Sequence, residues 1–495
     1  MNFATSDVIV VVGAGAMGAG IAQVAAVAGH RVRVIDQSEA SLVSGREAIQ
    51  ASLASQVKRG ALSEEEVAAI EARLSFTIDI AAAEGASLAI EAIIERSDAK
   101  LAVFAALANV MSPEAVIASN TSSLSIADLA QGSPSPARFV GLHFFNPAPV
   151  MKLVEIVPAP AVPTATTEAL ADLMRRWGKK PVLVRDVPGF IVNRVARPYY
   201  GEGFRALGEG VPAATIDHAL TAAGGFRMGP LTLADMIGHD VNYTVARSVF
   251  DAYHGKTRFR PEPSQQALFE AGRLGRKSGS GVYNYADPLP RPDLRRAGPR
   301  PEQISISSRP GRLAVITALA AAAGLRVVED ATLPDEAMSL DGAVVVFGDG
   351  RLLRDRSEIS ILLDPPRDLD IWPVWVATAA NPTLEYALAG LAGVVERAVL
   401  LVPDRPGQIV LRSLAQLANA AADAVLDDVA TPAGIDEAMV FGANHPQGPL
   451  AWALTYGPDR VRTALSNISE ATGEPLYQPS EWFSRQLAPE ESVAA

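Results

Sequence analysis

The sequence predicts an α/β protein in four parts: an N-terminal α/β domain, an all-α domain, a reduced α/β domain and a second all-α domain. Three observations predict it. A buried-strand pattern at Val8–Val12 runs through a glycine turn into an alanine-rich helix pattern. Helix-like segments punctuated by Gly208, Gly224-Gly225 and Gly229-Pro230 fill residues 188–285. The start of that helical stretch then recurs about 218 residues later, as a duplicated helical domain requires.

The opening unit reads strand, turn, helix, strand. Val8–Val12 leads into Gly13-Ala14-Gly15-Ala16-Met17-Gly18, a G-x-G-x-x-G, and the helix pattern ends at Gly29. Arg31–Ile35 is the second strand and closes on Asp36. In a Rossmann-type dinucleotide-binding unit Gly13 makes the tight turn, Gly15 admits the pyrophosphate to the backbone, and Gly18 lets helix and strand pack closely. The helix N-terminus presents free N–H groups and positive dipole to phosphate. Asp36, about 18 residues beyond Gly18, stands where a carboxylate holds ribose hydroxyls and repels a 2′-phosphate, so the expected cofactor is NAD.

Residues 38–72 are helix-like and long for a link between strands, which predicts two antiparallel helices. Lys58 and Arg59 could meet an anion there, or form a solvated helix end capped by Gly60. Residues 88–95 predict the third parallel strand, with Glu95 at its carboxyl end, where open α/β sheets bind ligands. Val116–Ser119 is the next strand, and Asn120-Thr121-Ser122-Ser123 follows. That polar cluster either caps the helix beginning near Ser125 or faces the nicotinamide end of the cofactor.

The stretch RFVGLHFFNPAPVMKLVEIV, residues 138–157, carries two apolar runs joined by a turn with Pro147 and Pro149. Apolar strands seldom carry a histidine and a glutamate unless those groups find partners inside the fold. His143 oriented by Glu155 would be a general base near neutral pH, and a nucleotide site beside such a base predicts hydride transfer at a hydroxyl carbon.

Beyond the helical stretch, residues 288–301 are rich in Pro and Arg and predict a linker. Helix and then strand over 312–328, with strands at 343–347, 359–363 and 374–377, predict the reduced α/β domain, and no glycine fingerprint precedes its helix. DRPGQIVLRSL from Asp404 then matches DVPGFIVNRVA from Asp186, placing Leu411 where the first copy has Asn193 and Gln408 where it has Phe190. The second copy is therefore expected to be structural. The expected boundaries are 1–186, 187–287, 303–382 and 403–485, and residues 486–495 are expected to be loose.

Composition narrows the function classes. At 495 residues the chain needs more than one core, and 49% hydrophobic with 20% charged residues is a folded composition. The net charge of −12 gives no basic face for nucleic acid, and no apolar run reaches the roughly 18 residues of a membrane span. The N-terminus enters a strand without a signal-like segment. With no cysteine, disulfides and thiolate chemistry are excluded, and no metal is expected. A cytoplasmic enzyme is the expectation.

The segments VVGAGAMGAGIAQ, IEAIIER, SNTSSLSI, RFVGLHFFNPAPVMKLVEIV, VPGFIVNRV and GRKSGSGVYNY together resemble the 3-hydroxyacyl-CoA dehydrogenase family. The resemblance implies His143 as general base, Glu155 as its partner, Ser122 as donor to the reacting oxygen, and Asn193 as a substrate-holding residue. It implies Gly13, Gly15, Gly18, Asp36, Glu95, Lys100, Asn120, Asn146 and Lys277 near NAD. It implies Ser52 and Arg59 near the CoA of an acyl-CoA thioester; the family often has lysine at the Arg59 position, and arginine keeps the charge. It further implies an all-α domain that closes over the cofactor domain and can form a homodimer contact, and a reduced Rossmann-like domain, as in the long 3-hydroxybutyryl-CoA dehydrogenases, here expected to bind no nucleotide. The expected reaction is NAD-dependent oxidation of a (3S)-hydroxyacyl-CoA, with hydroxybutyryl and hydroxyadipyl thioesters both open. The alternatives are a β-hydroxyacid dehydrogenase of the 6-phosphogluconate type, whose chemistry needs a helical-domain lysine rather than a His–Glu pair, and a non-catalytic NAD-binding homologue.

Overall fold

The computed structural model describes residues 3–369 and 372–487. The described residues divide into two compact units: one runs to Arg194 and takes in Asp427–Ala443, and the other comprises Val195–Leu426 and the residues from Asn444 to Leu487.

The first unit is built on strands β1 (Val8–Val12), β2 (Arg31–Ile35), β3 (Leu74–Thr77), β4 (Ala86–Glu91), β5 (Val116–Ser119), β6 (Phe139–Phe144), β7 (Leu153–Pro158) and β8 (Lys180–Leu183). They form one sheet in the order β3-β2-β1-β4-β5-β6-β7-β8. All neighbours pair parallel except β6 and β7, which are antiparallel. The helices are α1 (Ala16–Val27), α2 (Glu39–Lys58), α3 (Glu64–Glu71), α4 (Ser97–Val110), α5 (Ile126–Gln131), α6 (Thr164–Arg176) and the short α7 (Val192–Val195). Parallel strands covered on both faces must be apolar on both. Ile9, Val11, Val32, Val34, Leu88, Ile90, Val140, Leu142 and Ile156 accordingly pack into one buried cluster with residues of α1, α2 and α6, while Val10, Ala89, Ile117 and Phe139, alternating with them, are buried as well.

Two expectations for this unit need correction. The strand expected at 88–95 is the fourth in chain order, and it stops at Glu91, so Glu95 lies in the loop before α4. The third strand, β3, is a four-residue half-buried segment, LSFT, too short and mixed to announce itself. The two helices expected over 38–72 are α2 and α3, each N-capped by a serine side chain, Ser38 and Ser63.

The second unit combines helices with a second sheet. Its strands are β9 (Leu294–Arg295), β10 (Gln303–Ile306), β11 (Arg326–Glu329), β12 (Ala337–Leu340), β13 (Ala343–Phe347), β14 (Ile361–Leu363), β15 (Val374–Ala379) and β16 (Ala398–Leu401), in the order β11-β10-β12-β13-β14-β15-β16-β9. This sheet is mixed: β11–β10, β13–β14 and β15–β16 pair parallel, and β10–β12, β12–β13, β14–β15 and β16–β9 pair antiparallel. The expectation missed β10, β12, β16 and the helix Pro382–Val394. The expected linker contains β9, which pairs with β16, and its Gly298 packs so closely on the Pro382–Val394 helix that a Cβ would stand 2.0 Å from the Tyr386 carbonyl oxygen. A two-residue strand is set by its partner and leaves no periodicity to read. Of the tail expected to be loose, Gln486 and Leu487 end the helix Glu481–Leu487, and 488–495 lie outside the described residues. Among the described residues no helix is long and apolar enough to cross a membrane.

Candidate active site

His143 and Glu155 are direct cross-strand partners in the one antiparallel pair of the first sheet. Side chains alternate faces along a strand. Val140, Leu142 and Phe144 enter the apolar cluster on one face, so His143 points to the other, as Glu155 does on β7. The turn between the strands sets that register. His143 Nδ1 lies 2.6 Å from Glu155 Oε2, with His143 6% and Glu155 0% exposed. Nδ1–H donates to the carboxylate, which leaves Nε2 as the lone-pair nitrogen. The imidazole is flanked by the rings of Phe145 and Phe190, with centroids 4.4 and 5.7 Å away.

The second oxygen of Glu155 is also committed. Oε1 accepts from the backbone N–H groups of Ile191 at 2.9 Å and Val192 at 3.1 Å. Those amides turn toward it because Gly189 and Phe190 both have positive φ, +77° and +47°. For Phe190 that is a strained conformation held by its surroundings. Three donors therefore satisfy a carboxylate that burial alone would penalise heavily. Asn193, half-buried, follows directly on α7.

The remaining polar groups gather at the carboxyl edge of the sheet. β1, β4, β5 and β6 are adjacent and parallel, so the glycine turn, Glu95, the Asn120–Ser122 loop and the end of β6 lie side by side. At about 4.8 Å per strand, β1 and β6 are roughly 14 Å apart, a span suited to a dinucleotide. Glu95 Oε1 accepts from the Thr121 hydroxyl at 2.6 Å, from the N–H of Ser122 at 3.1 Å and from the Ser123 hydroxyl at 2.9 Å. Burial opposes charge on Glu95, but the Thr121 hydroxyl, the Lys100 ammonium and Ser123 outweigh it and hold the carboxyl below its usual range. Lys100 is buried, with its ammonium 2.7 Å from Glu91 and 3.2 Å from Glu95, so it reaches this edge through Glu95. Asn120 Oδ1 accepts from the Phe144 N–H at 2.8 Å and ties the loop to β6.

The other expected positions are dispersed. Ser52 is half-buried on α2, and Arg59 is its exposed C-cap, seven residues on and so on the same helical face. Asn146 is exposed in the β6–β7 turn. Lys277 lies in the second unit and pairs there with Asp240 at 2.6 Å. Two residues carry structure that the sequence did not signal. Glu91, fully buried, accepts from Lys100, from Ser119 Oγ at 2.6 Å and from the Ile93 N–H at 2.6 Å, fastening the ends of β4 and β5. Lys179 donates to the carbonyls of Ala148 and Met151 and so clamps the β6–β7 turn; burial lowers its ammonium to about 8.

The glycine turn fits NAD. Nothing lies within 4 Å of where a Cβ of Gly15 would stand, whereas a Cβ on Gly18 would sit 1.8 Å from the Gly13 carbonyl oxygen. One glycine keeps space open for a ligand, and the other lets α1 pack. Asp36 Oδ2 accepts from the Ala14 N–H at 2.8 Å and Oδ1 from the Ser38 N–H at 2.9 Å, and the residue remains half-exposed at the strand end.

Residues 8–187 match the family model of the 3-hydroxyacyl-CoA dehydrogenase NAD binding domain, and 189–285 and 407–491 each match that of the C-terminal domain. The chain belongs to the 3-hydroxyacyl-CoA dehydrogenase family. It is an NAD-dependent enzyme, and the 6-phosphogluconate-type alternative is set aside. The 3-hydroxyadipyl-CoA dehydrogenase of Escherichia coli K12 is 40% identical over 95% of both chains. A crystal structure of 3-hydroxybutyryl-CoA dehydrogenase from Escherichia coli K12 superposes with a TM-score of 0.87 at 37% identity, covering 97% of this chain and 98% of the other. A probable 3-hydroxybutyryl-CoA dehydrogenase of Deinococcus radiodurans is 39% identical and aligns over 99% of its own length but only 56% of this chain.

The second family match repeats the backbone device of the first without its dyad. Gly407 and Gln408 have φ of +70° and +49°, like Gly189 and Phe190. The following amides of Ile409, Val410 and Leu411 donate to Asp364 at 2.8, 2.6 and 2.9 Å. The strand pair there is β14–β15; with the 218-residue offset that sets β16 on β8, Glu155 corresponds to Val376, and the residue facing Val376 is Asp364, just after β14, not a histidine.

Proposed function

We propose that this chain oxidises a short-chain (3S)-hydroxyacyl-CoA, such as the 3-hydroxybutyryl or 3-hydroxyadipyl thioester, to the 3-ketoacyl-CoA, reversibly and with NAD. The observation that carries the reading is the buried His143–Glu155 pair at the carboxyl edge of a dinucleotide-binding sheet. NAD, when bound, accepts the hydride from C3 of the substrate. His143 Nε2 takes the hydroxyl proton, while Nδ1–H to Glu155 steadies the imidazolium that results. Ser122 donates to the reacting oxygen from the loop that Glu95 holds, and Asn193 orients the thioester from α7. Gly13, Gly15, Gly18, Asp36, Glu95, Asn120 and Asn146 line the cofactor's path, with Lys100 acting through Glu95, and Lys277 is read as a further cofactor-binding residue. Ser52 and Arg59 on α2 receive the CoA.

In this reading the chain has four domains, 1–186, 187–287, 303–382 and 403–485. The last is a copy with no active site, because Leu411 stands where Asn193 is needed. The protein is read as cytoplasmic from its composition. The test is reduction of NAD by purified protein with the two thioesters, comparing kcat/KM, alongside His143→Gln. Unchanged turnover in that variant would remove His143 from the chemistry.

A further inference from the structure

The segment Asp427–Ala443 belongs to the second family match, 407–491, yet it packs as part of the first unit. Its helix, Pro432–Gly442, lies on β7 and the edge strand β8. Gly434 and Gly442 allow the close approach. A Cβ on Gly434 would meet the Val182 side chain at 3.0 Å, and one on Gly442 would meet Leu153 at 2.4 Å and Val192 at 3.0 Å. The Arg185 N–H donates to the Val429 carbonyl at 2.8 Å. Lys180 stands over the Phe441 ring at 5.6 Å. At the head of the segment Asp427 forms an ion pair with Arg194.

Three of these contacts fall on elements that hold the dyad, at Leu153 on β7 and at Val192 and Arg194 on α7, and the others fall on or just after β8, which pairs with β7. β7 carries Glu155. Val192, touched by Gly442, donates its N–H to Glu155 Oε1. Arg194, whose side chain is 3% exposed while that of Asp427 is 47% exposed, follows Asn193 directly. α7 is a single turn, too short to hold its own shape, so its position depends on what grips it.

We propose that Asp427 is a positioning residue for the dehydrogenase reaction, acting through Arg194 and the Val192–Val195 turn on Asn193 and on the Glu155–His143 pair. The duplicated copy has thus lost its own site and kept a task at the site of the first. This rests on the catalytic reading of His143 and Glu155 given above.

The test uses the full-length protein with NAD and 3-hydroxybutyryl-CoA. Asp427→Asn is expected to lower kcat about tenfold, as a small misplacement of reacting groups does, with KM for NAD and the melting temperature near wild type. The isotope effect with C3-deuterated substrate should rise, because the chemical step slows. Asp427→Glu restores the ion pair and should recover most of the rate. Adding Asp427→Asn to Arg194→Gln should cost no more than Arg194→Gln alone, since the ion pair is already gone. Wild-type kcat in Asp427→Asn, additive losses, or no rescue by Glu would overturn the proposal. His143→Gln run in parallel separates the two readings: an active His143→Gln defeats the dyad and this inference together, whereas an inactive His143→Gln beside an unaffected Asp427→Asn defeats this inference alone.

Discussion

Glu155 divides its carboxylate between His143 and the main chain: Oε2 meets Nδ1 at 2.6 Å, and Oε1 takes the amides of Ile191 and Val192. The residue that orients the imidazole thus also fixes the start of α7, so His143 and the turn carrying Asn193 are placed by one group.

Glu155→Gln should separate these duties. The amide oxygen can still accept from Ile191 and Val192, but the neutral side chain no longer stabilises an imidazolium. kcat is expected to fall by about 10²–10³-fold with folding preserved. His143→Gln should fall by about 10²–10⁴-fold with NAD affinity within a fewfold of wild type, measured by fluorescence titration. Loss of NAD binding equal to the loss of rate would mean that the pair holds the domain rather than performs the chemistry.

Gly15 and Gly18 should respond oppositely to alanine. The space at Gly15 is open, whereas a Cβ on Gly18 would meet the Gly13 backbone at 1.8 Å. Gly15→Ala should keep the wild-type melting temperature and weaken NAD binding at least about tenfold, by filling ligand space. Gly18→Ala should lower the melting temperature as well. Calorimetry with and without NAD reads both effects.

Asp364 predicts a pH dependence. Burial pushes its carboxyl up to about 7, partly countered by the amides of Leu411, Val410 and Ile409. Between pH 4 and 7 the folded state then holds a proton that the unfolded state has released, so this group's contribution to stability falls as pH rises through that window. The stability difference between wild type and Asp364→Asn, from urea unfolding, should be larger at pH 5 than at pH 7.5. A pH-independent difference would show that the amides dominate and the carboxyl is ionised throughout.

Truncation after Asp287 removes Asp427–Ala443 and uncovers β7 and β8. Residues 1–287 should self-associate or lose stability, seen by light scattering and thermal melts. A monomeric, fully active 1–287 would show that the cover is dispensable.

Local chemistry made much of the site legible. G-x-G-x-x-G between strand and helix, Asp36 at the next strand end, and two charged residues in apolar strands are signals that depend on neighbours in the chain. The duplication was equally plain, because repetition needs no structure to be seen. The sequence alone determined that a nucleotide turn and a histidine and glutamate set in apolar runs occur together in this chain. Tertiary structure decided the rest. It set the register that makes His143 and Glu155 partners, gave Lys100 to Glu91 and Glu95, and placed β9 on β16. It also sent Asp427–Ala443 to the first sheet. Pairings between distant segments follow from which surfaces remain to be buried once the local elements exist, and a linear pattern does not record that choice.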